Sequence, residues 1–218
     1  MALAIFDLDH TLIGGDSDQA FGQYLAEEGL VDAEAFQAQS RAFYQQYMEG
    51  TLDIIAHLRH SLSPLTQFSM DELASLHADF FARKIRPMLL PKAHQLLAKH
   101  RAAGDFLLVI TATNHFVAAP IAEALGVDDV IACDAEIKNN RYTGEPTGIP
   151  SFREGKVTRL EAWLEQHPHI TMEGSYFYSD SFNDLPLLER ATHAVAVDAD
   201  DNLQKAASER GWPSISLR

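Results

Sequence analysis

Asp7 and Asp9 stand two residues apart, directly after the apolar run Ala2-Leu3-Ala4-Ile5-Phe6. In extended chain that spacing sends both side chains to one face. Two neighbouring carboxylates resist joint ionisation. A divalent cation on one and a proton on the other relieve the repulsion, which yields one ionised nucleophile and one general acid. The same two acids could instead satisfy backbone amides in a turn. A second acidic pair, Asp180 and Asp184, lies in Ser179-Asp180-Ser181-Phe182-Asn183-Asp184, and a four-residue spacing aligns side chains if they share a helix. A hard dication such as Mg²⁺ takes only one or two carboxylates, so one direct and one indirect contact is a sensible division. Helix capping and a first-turn acid worth about 0.3–1 kcal/mol are the other uses of these residues. Thr111 and Lys156, read singly, are a turn hydroxyl and a solvated helix lysine. Read with the acids, they join hydroxyl, cation and carboxylates at successive strand ends or helix starts of one chain.

The elements that must position these groups alternate. The run 2–6 reads as a strand buried on both faces. From about Asp16 to Arg86 the periodicity is helical, with capping signals at Asp16, Asp32 and Ser69. Phe36, Phe43 and Tyr47 fall on one stripe of the second helix, and Leu73, Leu76 and Phe80 on the last. This is expected to be a four-helix unit with its own small core. Beyond Pro91 the expected order is helix 91–103, strand 106–110, helix 114–125 and strand 130–132. A hairpin, 135–137 with 141–143, turns at Asn139-Asn140. Helix 153–166, strand 175–178, helix 183–191, strand 194–197, helix 201–210 and a strand near Ile215 follow. The sum is an α/β fold: a doubly wound, mostly parallel, Rossmann-like sheet with a small all-helical cap inserted after the first strand. In such sheets ligands bind outside the carboxyl ends of the strands, where these side chains stand.

Composition narrows the class. The 218 residues carry 17 Lys+Arg against 31 Asp+Glu, a formal net charge of −14, which repels a nucleic-acid backbone. Cys133 is the single cysteine and reads as a buried thiol in a reducing compartment. No apolar run is long enough to span a bilayer. A cytoplasmic protein with neither nucleic acid nor membrane as partner is expected, monomer or homodimer being left open. No G-x-G-x-x-G follows the first strand, which disfavours a dinucleotide enzyme. Of the ten histidines, His10 and His115 lie beside the motifs and the others read as surface residues.

Phe6-Asp7-Leu8-Asp9-His10-Thr11-Leu12, Ile110-Thr111, Gly155-Lys156-x-x-Arg159-Leu160 and Ser179-Asp180-Ser181-x-Asn183-Asp184 resemble the four motifs of the haloacid dehalogenase-like hydrolase superfamily. The insertion resembles the helical cap of its phosphoserine-phosphatase-like branch. The resemblance covers the whole chain and implies a catalytic core of 1–14 and 87–218 with a cap of 15–86. It implies Asp7 as nucleophile through an aspartyl-phosphate, Asp9 as acid and base, and Thr111 and Lys156 as ligands of the transferring oxygens. It also implies Mg²⁺ held by the Asp7 carboxylate, the Asp9 carbonyl and Asp180, with Asp184 and Asn183 in support. Because Asp9 supplies a proton that a halide leaving group does not need, phosphoryl transfer is favoured over dehalogenation.

In phosphoserine phosphatases an early acid meets the substrate amine and a cap arginine its carboxylate. Asp16 takes the first place and Arg59, in His57-Leu58-Arg59, the second, with an N-cap and a surface cation as the other readings. Thr111-Ala112-Thr113 stands where that branch has Ser-Gly-Gly, so Thr113 adds a methyl and a hydroxyl beside the phosphate. The opening motif with Gly15-Asp16-Ser17-Asp18 is closer to a bacterial sub-branch that includes histidinol-phosphate phosphatases, and Asp16 and Asp18 suit a substrate with an amine and an imidazole. The expectation is a Mg²⁺-dependent phosphatase of a small amine-bearing phosphate ester, histidinol phosphate ahead of phosphoserine. The alternatives are a phosphotransferase or a phosphatase for another small metabolite, or a receiver-like phosphoryl-accepting signalling module.

Overall fold

The computed structural model describes residues 2–218, and Met1, which the expected catalytic core includes, lies outside them. Seven strands form one sheet: β1 (Ala2–Phe6), β2 (Phe106–Asn114), β3 (Asp129–Lys138), β4 (Arg141–Thr147), β5 (Thr171–Ser179), β6 (His193–Val197) and β7 (Ser214–Ile215). Their order is β4-β3-β2-β1-β5-β6-β7. Every neighbouring pair is parallel except β3 with β4, which close a hairpin. Asn139 and Asn140 turn it with φ of 51° and 57°, the left-handed pair that a two-residue hairpin needs. This is the α/β architecture read from the sequence. β1 lies between β2 and β5, where the chain order reverses from one side of the sheet to the other, and a crevice at the carboxyl end of that switch is where such sheets bind ligands.

Period-two alternation builds the two halves of the core. Ala4 and Phe6 join Leu107, Val109 and Tyr178 on one face, while Leu3 and Ile5 join Leu108, Ile110 and Phe177 on the other. Because β1 is apolar at every position, it is buried on both faces, and Asp7 is the first group it delivers beyond the ladder.

Between β1 and β2 run α1 (Ser17–Glu27), α2 (Ala33–Glu49), α3 (Ile54–Leu62) and α4 (Met70–Phe80), then α5 (Pro91–Ala103). Asp16, Asp32 and Ser69 cap α1, α2 and α4, and Ser69 with Glu72 forms a complete capping box. The expected private core of the insertion is not found. Phe21, Tyr24, Leu58, Leu62 and Phe80 belong to one continuous cluster with Leu8, Leu12 and Ile13 of the loop after β1 and with Val117 and Ile121 of α6 (His115–Leu125). Four short helices enclose too little apolar surface by themselves, and packing on the sheet side completes it.

Several elements differ in extent from expectation, three of them near the crevice or the hairpin. β3 is one strand over the expected 130–132 and 135–137, its first half paired with β2 and its second with β4. β2 runs on to Asn114, but its register with β3 breaks after Ile110; the extended Thr111-Ala112-Thr113 segment thereby leaves the ladder near the crevice. Helix 183–191 is replaced by a 3₁₀ turn, Phe182–Asp184, and the four-residue α8 (Leu185–Leu188). The remaining helices are α7 (Glu154–Gln166) and α9 (Asp201–Arg210). No helix among the described residues is long and apolar enough to cross a membrane.

Two histidines expected at the surface are buried instead, His77 and His100. His100 of α5 bridges Asp105 through Nδ1 at 2.7 Å and the Tyr178 hydroxyl through Nε2 at 2.8 Å. Replacing it with Leu strands both partners, and an unpaired buried polar group costs about 1–3 kcal/mol. His100→Leu is therefore expected to lower stability by about 2–4 kcal/mol, seen as a melting point lower by about 5–15 °C in a thermal unfolding scan.

Candidate active site

Asp7 is held by its own backbone, whose N–H donates to the Tyr178 carbonyl across the β1–β5 pair at 2.9 Å. The chain then turns tightly. Leu12 and Ile13 donate to the Leu8 carbonyl, and Leu8, Leu12 and Ile13 are fully buried. This anchored loop fixes Asp9 beside Asp7 at the floor of a cavity of about 260 Å³. The walls come from the strand ends below and from α1, α2 and α3 above.

Lys156 lies in the first turn of α7, fully inside the protein, and joins two carboxylates. Its Nζ is 2.8 Å from Asp7 Oδ1 and 2.7 Å from Asp184 Oδ1. Gly155 makes that approach feasible, because a Cβ there would sit 2.0 Å from the Pro150 carbonyl oxygen. Asp184 also accepts from the Ser179 hydroxyl at 2.7 Å. Burial disfavours the charged ammonium, but Asp184 and Asp7 outweigh it and hold the lysine charged. For Asp7, burial pushes the carboxyl up, opposed by Lys156 and reinforced by Asp184.

Asp180 follows β5, outside any helix, whereas Asp184 ends the 3₁₀ turn. The condition for aligning this pair, a shared helix, is not met, and the two acids have separate tasks: Asp184 grips Lys156, while Asp180 Oδ1 accepts from the Thr11 hydroxyl at 3.1 Å. Burial, with the charges of Asp7 and Asp184, raises the Asp180 carboxyl well above its usual range. Asn183 is engaged elsewhere. Its amide donates to the Tyr47 carbonyl at 3.1 Å and accepts from Arg153 Nε at 3.0 Å, so it ties the acidic loop to α2.

Asp9 is clasped from both layers. Its Oδ1 accepts from the Ser17 N–H at 2.7 Å, at the start of α1, and its Oδ2 from the Thr113 hydroxyl at 2.6 Å. Burial and the charge of Asp16 push its carboxyl up to about 6, the range in which an acid can hold and release a proton near neutrality. Thr113 lines the cavity and its hydroxyl also positions Asp9. The Thr111 hydroxyl is buried in the cavity wall and accepts from the Thr113 N–H at 3.1 Å.

Of the residues expected to meet the far end of a substrate, Asp16 and Asp18 line the cavity and Arg59 does not. Arg59 is exposed and pairs with Glu145 of β4 at 2.8 Å. Asp16 caps α1 through Oδ1 on the Gln19 N–H at 2.8 Å, and burial pushes it up to about 6. Asp18 accepts from Asn114 Nδ2 at 3.1 Å and pairs with His57 Nε2 at 3.1 Å. Burial disfavours the charged imidazole of His57, yet Asp18 raises it overall.

Sequence reasoning overlooked His57 and Tyr47. His57 is two positions before Arg59, about 200° around the helix, so one faces the cavity and the other solvent. Tyr47, read as insertion core together with Phe36, lines the cavity and donates its hydroxyl to Ser181 Oγ at 2.7 Å. Phe43 is buried as expected. An apolar stripe marks a helix face without saying whether protein or ligand will cover it.

The profile of the family described as haloacid dehalogenase-like hydrolase matches residues 4–189. A protein named histidinol-phosphatase from Neisseria meningitidis serogroup C is 46% identical, over 99% of this chain and 99% of its own length. A phosphoserine phosphatase of Mycobacterium tuberculosis is 31% identical over 100% of this chain and 71% of its own. Among solved structures, a Bordetella pertussis Tohama I protein of unknown function superimposes with a TM-score of 0.92 at 41% identity, covering 100% of this chain and 99% of that one. A substrate-bound phosphoserine phosphatase shares the fold at TM-score 0.71 and 19% identity, over 98% and 91% of the two chains.

Proposed function

Because this chain belongs to the haloacid dehalogenase-like hydrolase family, we propose that it is a phosphomonoesterase that hydrolyses histidinol phosphate through a covalent phosphoryl group on Asp7. The observation that carries the substrate is the end-to-end identity of 46% to a protein named histidinol-phosphatase. The cavity supports it. Its insertion side presents Asp16 and Asp18 and contributes no lysine or arginine to the described lining, Lys156 and Arg218 both coming from outside the insertion; this suits a cationic far end and leaves the carboxylate of phosphoserine without the cation expected of Arg59.

The Asp7 carboxylate attacks phosphorus while the bond from phosphorus to the ester oxygen breaks. Asp9 gives its proton to the departing alkoxide. It then takes a proton from the water that attacks phosphorus, freeing phosphate and the Asp7 carboxylate. Lys156 and the Thr111 hydroxyl hold the transferring oxygens, and Asp184 keeps the lysine charged and in place.

The donor set fits Mg²⁺. Asp7 and Asp184 share one ammonium, Asp180 stands close enough for their charges to act on it, and burial together with this mutual repulsion raises the Asp7 and Asp180 carboxyls. No group of three His, Cys, Asp or Glu that could hold a metal ion occurs among the described residues, so a backbone carbonyl and waters would have to complete the set, as Mg²⁺ commonly allows. The Asp7 and Asp180 side chains and the Asp9 carbonyl would hold it. When bound it would offset the charge of the phosphoryl oxygens. Asp184 and Asn183 support the loop that carries Asp180.

A steady-state panel of phosphate esters, with and without Mg²⁺, tests this reading. The expected result is a kcat/KM for histidinol phosphate at least tenfold above those for phosphoserine and for esters without an amine. Excess EDTA should silence turnover and added Mg²⁺ restore it. A best substrate without an amine refutes the cationic-substrate reading, and full activity in EDTA refutes the metal.

A further inference from the structure

His57 has an imbalance that the chemistry at phosphorus does not use. Its Nε2 is taken by Asp18 at 3.1 Å, while its Nδ1 is buried and has no hydrogen-bond partner among the described residues. A buried ring nitrogen left unpaired costs free energy, and this one belongs to a residue lining the cavity. The arrangement resembles the way a second partner fixes the tautomer of a working histidine. Asp18 is itself secured by Asn114, so the ring is held at both the carboxylate and the strand below it.

The surroundings are flat and aromatic. His57 meets Phe43 edge to face at 5.4 Å between centroids, and His60 stacks on Phe36 at 4.1 Å. Asp16 lies nearer the reaction, adjoining Ser17, whose N–H holds Asp9. Beside the nucleophile, the cavity lining therefore offers an acid and a histidine ring among aromatic faces. In histidinol phosphate the ammonium-bearing carbon is one carbon from the ester oxygen, and the imidazole is one carbon further out. The cavity thus holds a group of complementary kind for each.

We infer that His57, held by Asp18, is a specificity-determining residue for the substrate's imidazole, its Nδ1 hydrogen-bonding a ring nitrogen of that group. An ammonium could serve only a neutral His57, which accepts at Nδ1, and a carboxylate only a protonated one, which donates there. An imidazole carries both an N–H and a lone pair, so it completes His57 in either state. The inference rests on the proposed substrate and assigns the part of the chain that tells it from shorter amine-bearing esters.

The test compares histidinol phosphate with phosphoethanolamine, which keeps the phosphate and ammonium and lacks the ring, on wild type, His57→Leu and His57→Asn, each checked for folding by thermal melting. For His57→Leu the ratio of kcat/KM between the two esters should fall at least tenfold, through KM for the ring-bearing ester. For His57→Asn, whose carboxamide can place a polar atom near the Nδ1 position, part of the ratio should return. An equal loss on both esters, or a ratio unchanged in His57→Leu while wild type prefers histidinol phosphate, overturns the inference and leaves the substrate reading standing. A wild type with no preference for the ring-bearing ester overturns both.

Discussion

Asp7→Asn is expected to abolish phosphate release, lowering kcat by on the order of 10⁵-fold or more, as the loss of a covalent nucleophile does in other hydrolases. The carboxamide has nearly the shape of the carboxylate, so it can keep an oxygen on Lys156 Nζ, which lies 2.8 Å from Asp7 Oδ1 in the native protein. It loses the charge and the lone-pair reactivity that attack phosphorus. Because burial and the charges of Asp184 and Asp9 push the native carboxyl up, neutralising this position removes a repulsion from Asp184 and Asp180, and the fold should not be weakened. The measurement is steady-state phosphate release beside a thermal melt. Residual activity above about one per cent, in a variant with a native melting point, removes Asp7 as nucleophile.

Lys156→Ala is expected to damage both activity and stability. Removing one member of a buried, hydrogen-bonded ion group leaves the others uncompensated, at a cost of about 3–5 kcal/mol; here two carboxylates, Asp7 and Asp184, lose their common partner. In a chain of this size that is on the order of a 10 °C fall in melting temperature. The loss of a preorganised cation at the transferring phosphoryl group adds a fall in kcat of at least about 10²–10³-fold. The two effects separate if kinetics are run well below the variant's melting point. Lys156→Met, which refills most of the side-chain volume, should recover stability in part and activity hardly at all. Recovery of both would make Lys156 a packing residue.

The legible part of the site sits at strand ends. Asp7, Thr111, Lys156 and Asp180 each follow a pattern that fixes its backbone locally: an apolar strand with acids after it, a β-rich run ending in threonines, a glycine in the first turn of a helix, a serine–acid turn. Each element presents its next residue at the same edge of the sheet, so adjacency in space follows from topology. Asp184 was legible in identity, but its geometry was open, because a four-residue spacing means alignment only inside a helix and the chain makes a 3₁₀ turn there. Thr113 lines the cavity as placed, and it also bonds Asp9; that partner is more than a hundred positions away, and no local pattern encodes it.

The helical insertion was harder. Amphipathic stripes predicted its helices and caps, yet the same stripe serves a helix that packs on protein and one that walls a cavity. Phe43 went inward, while Phe36 and Tyr47 line the cavity with it.

By itself, then, the sequence determined the doubly wound sheet, the helices inserted after its first strand and the acids and lysine at the strand ends, because strand and helix periods and motif spacing are short-range properties. Only the tertiary structure decided which side chains of the insertion face the reaction. Arg59 turns out to Glu145 and His57 turns in to Asp18, since the rotation of α3 about its axis is set by packing between elements distant in the chain.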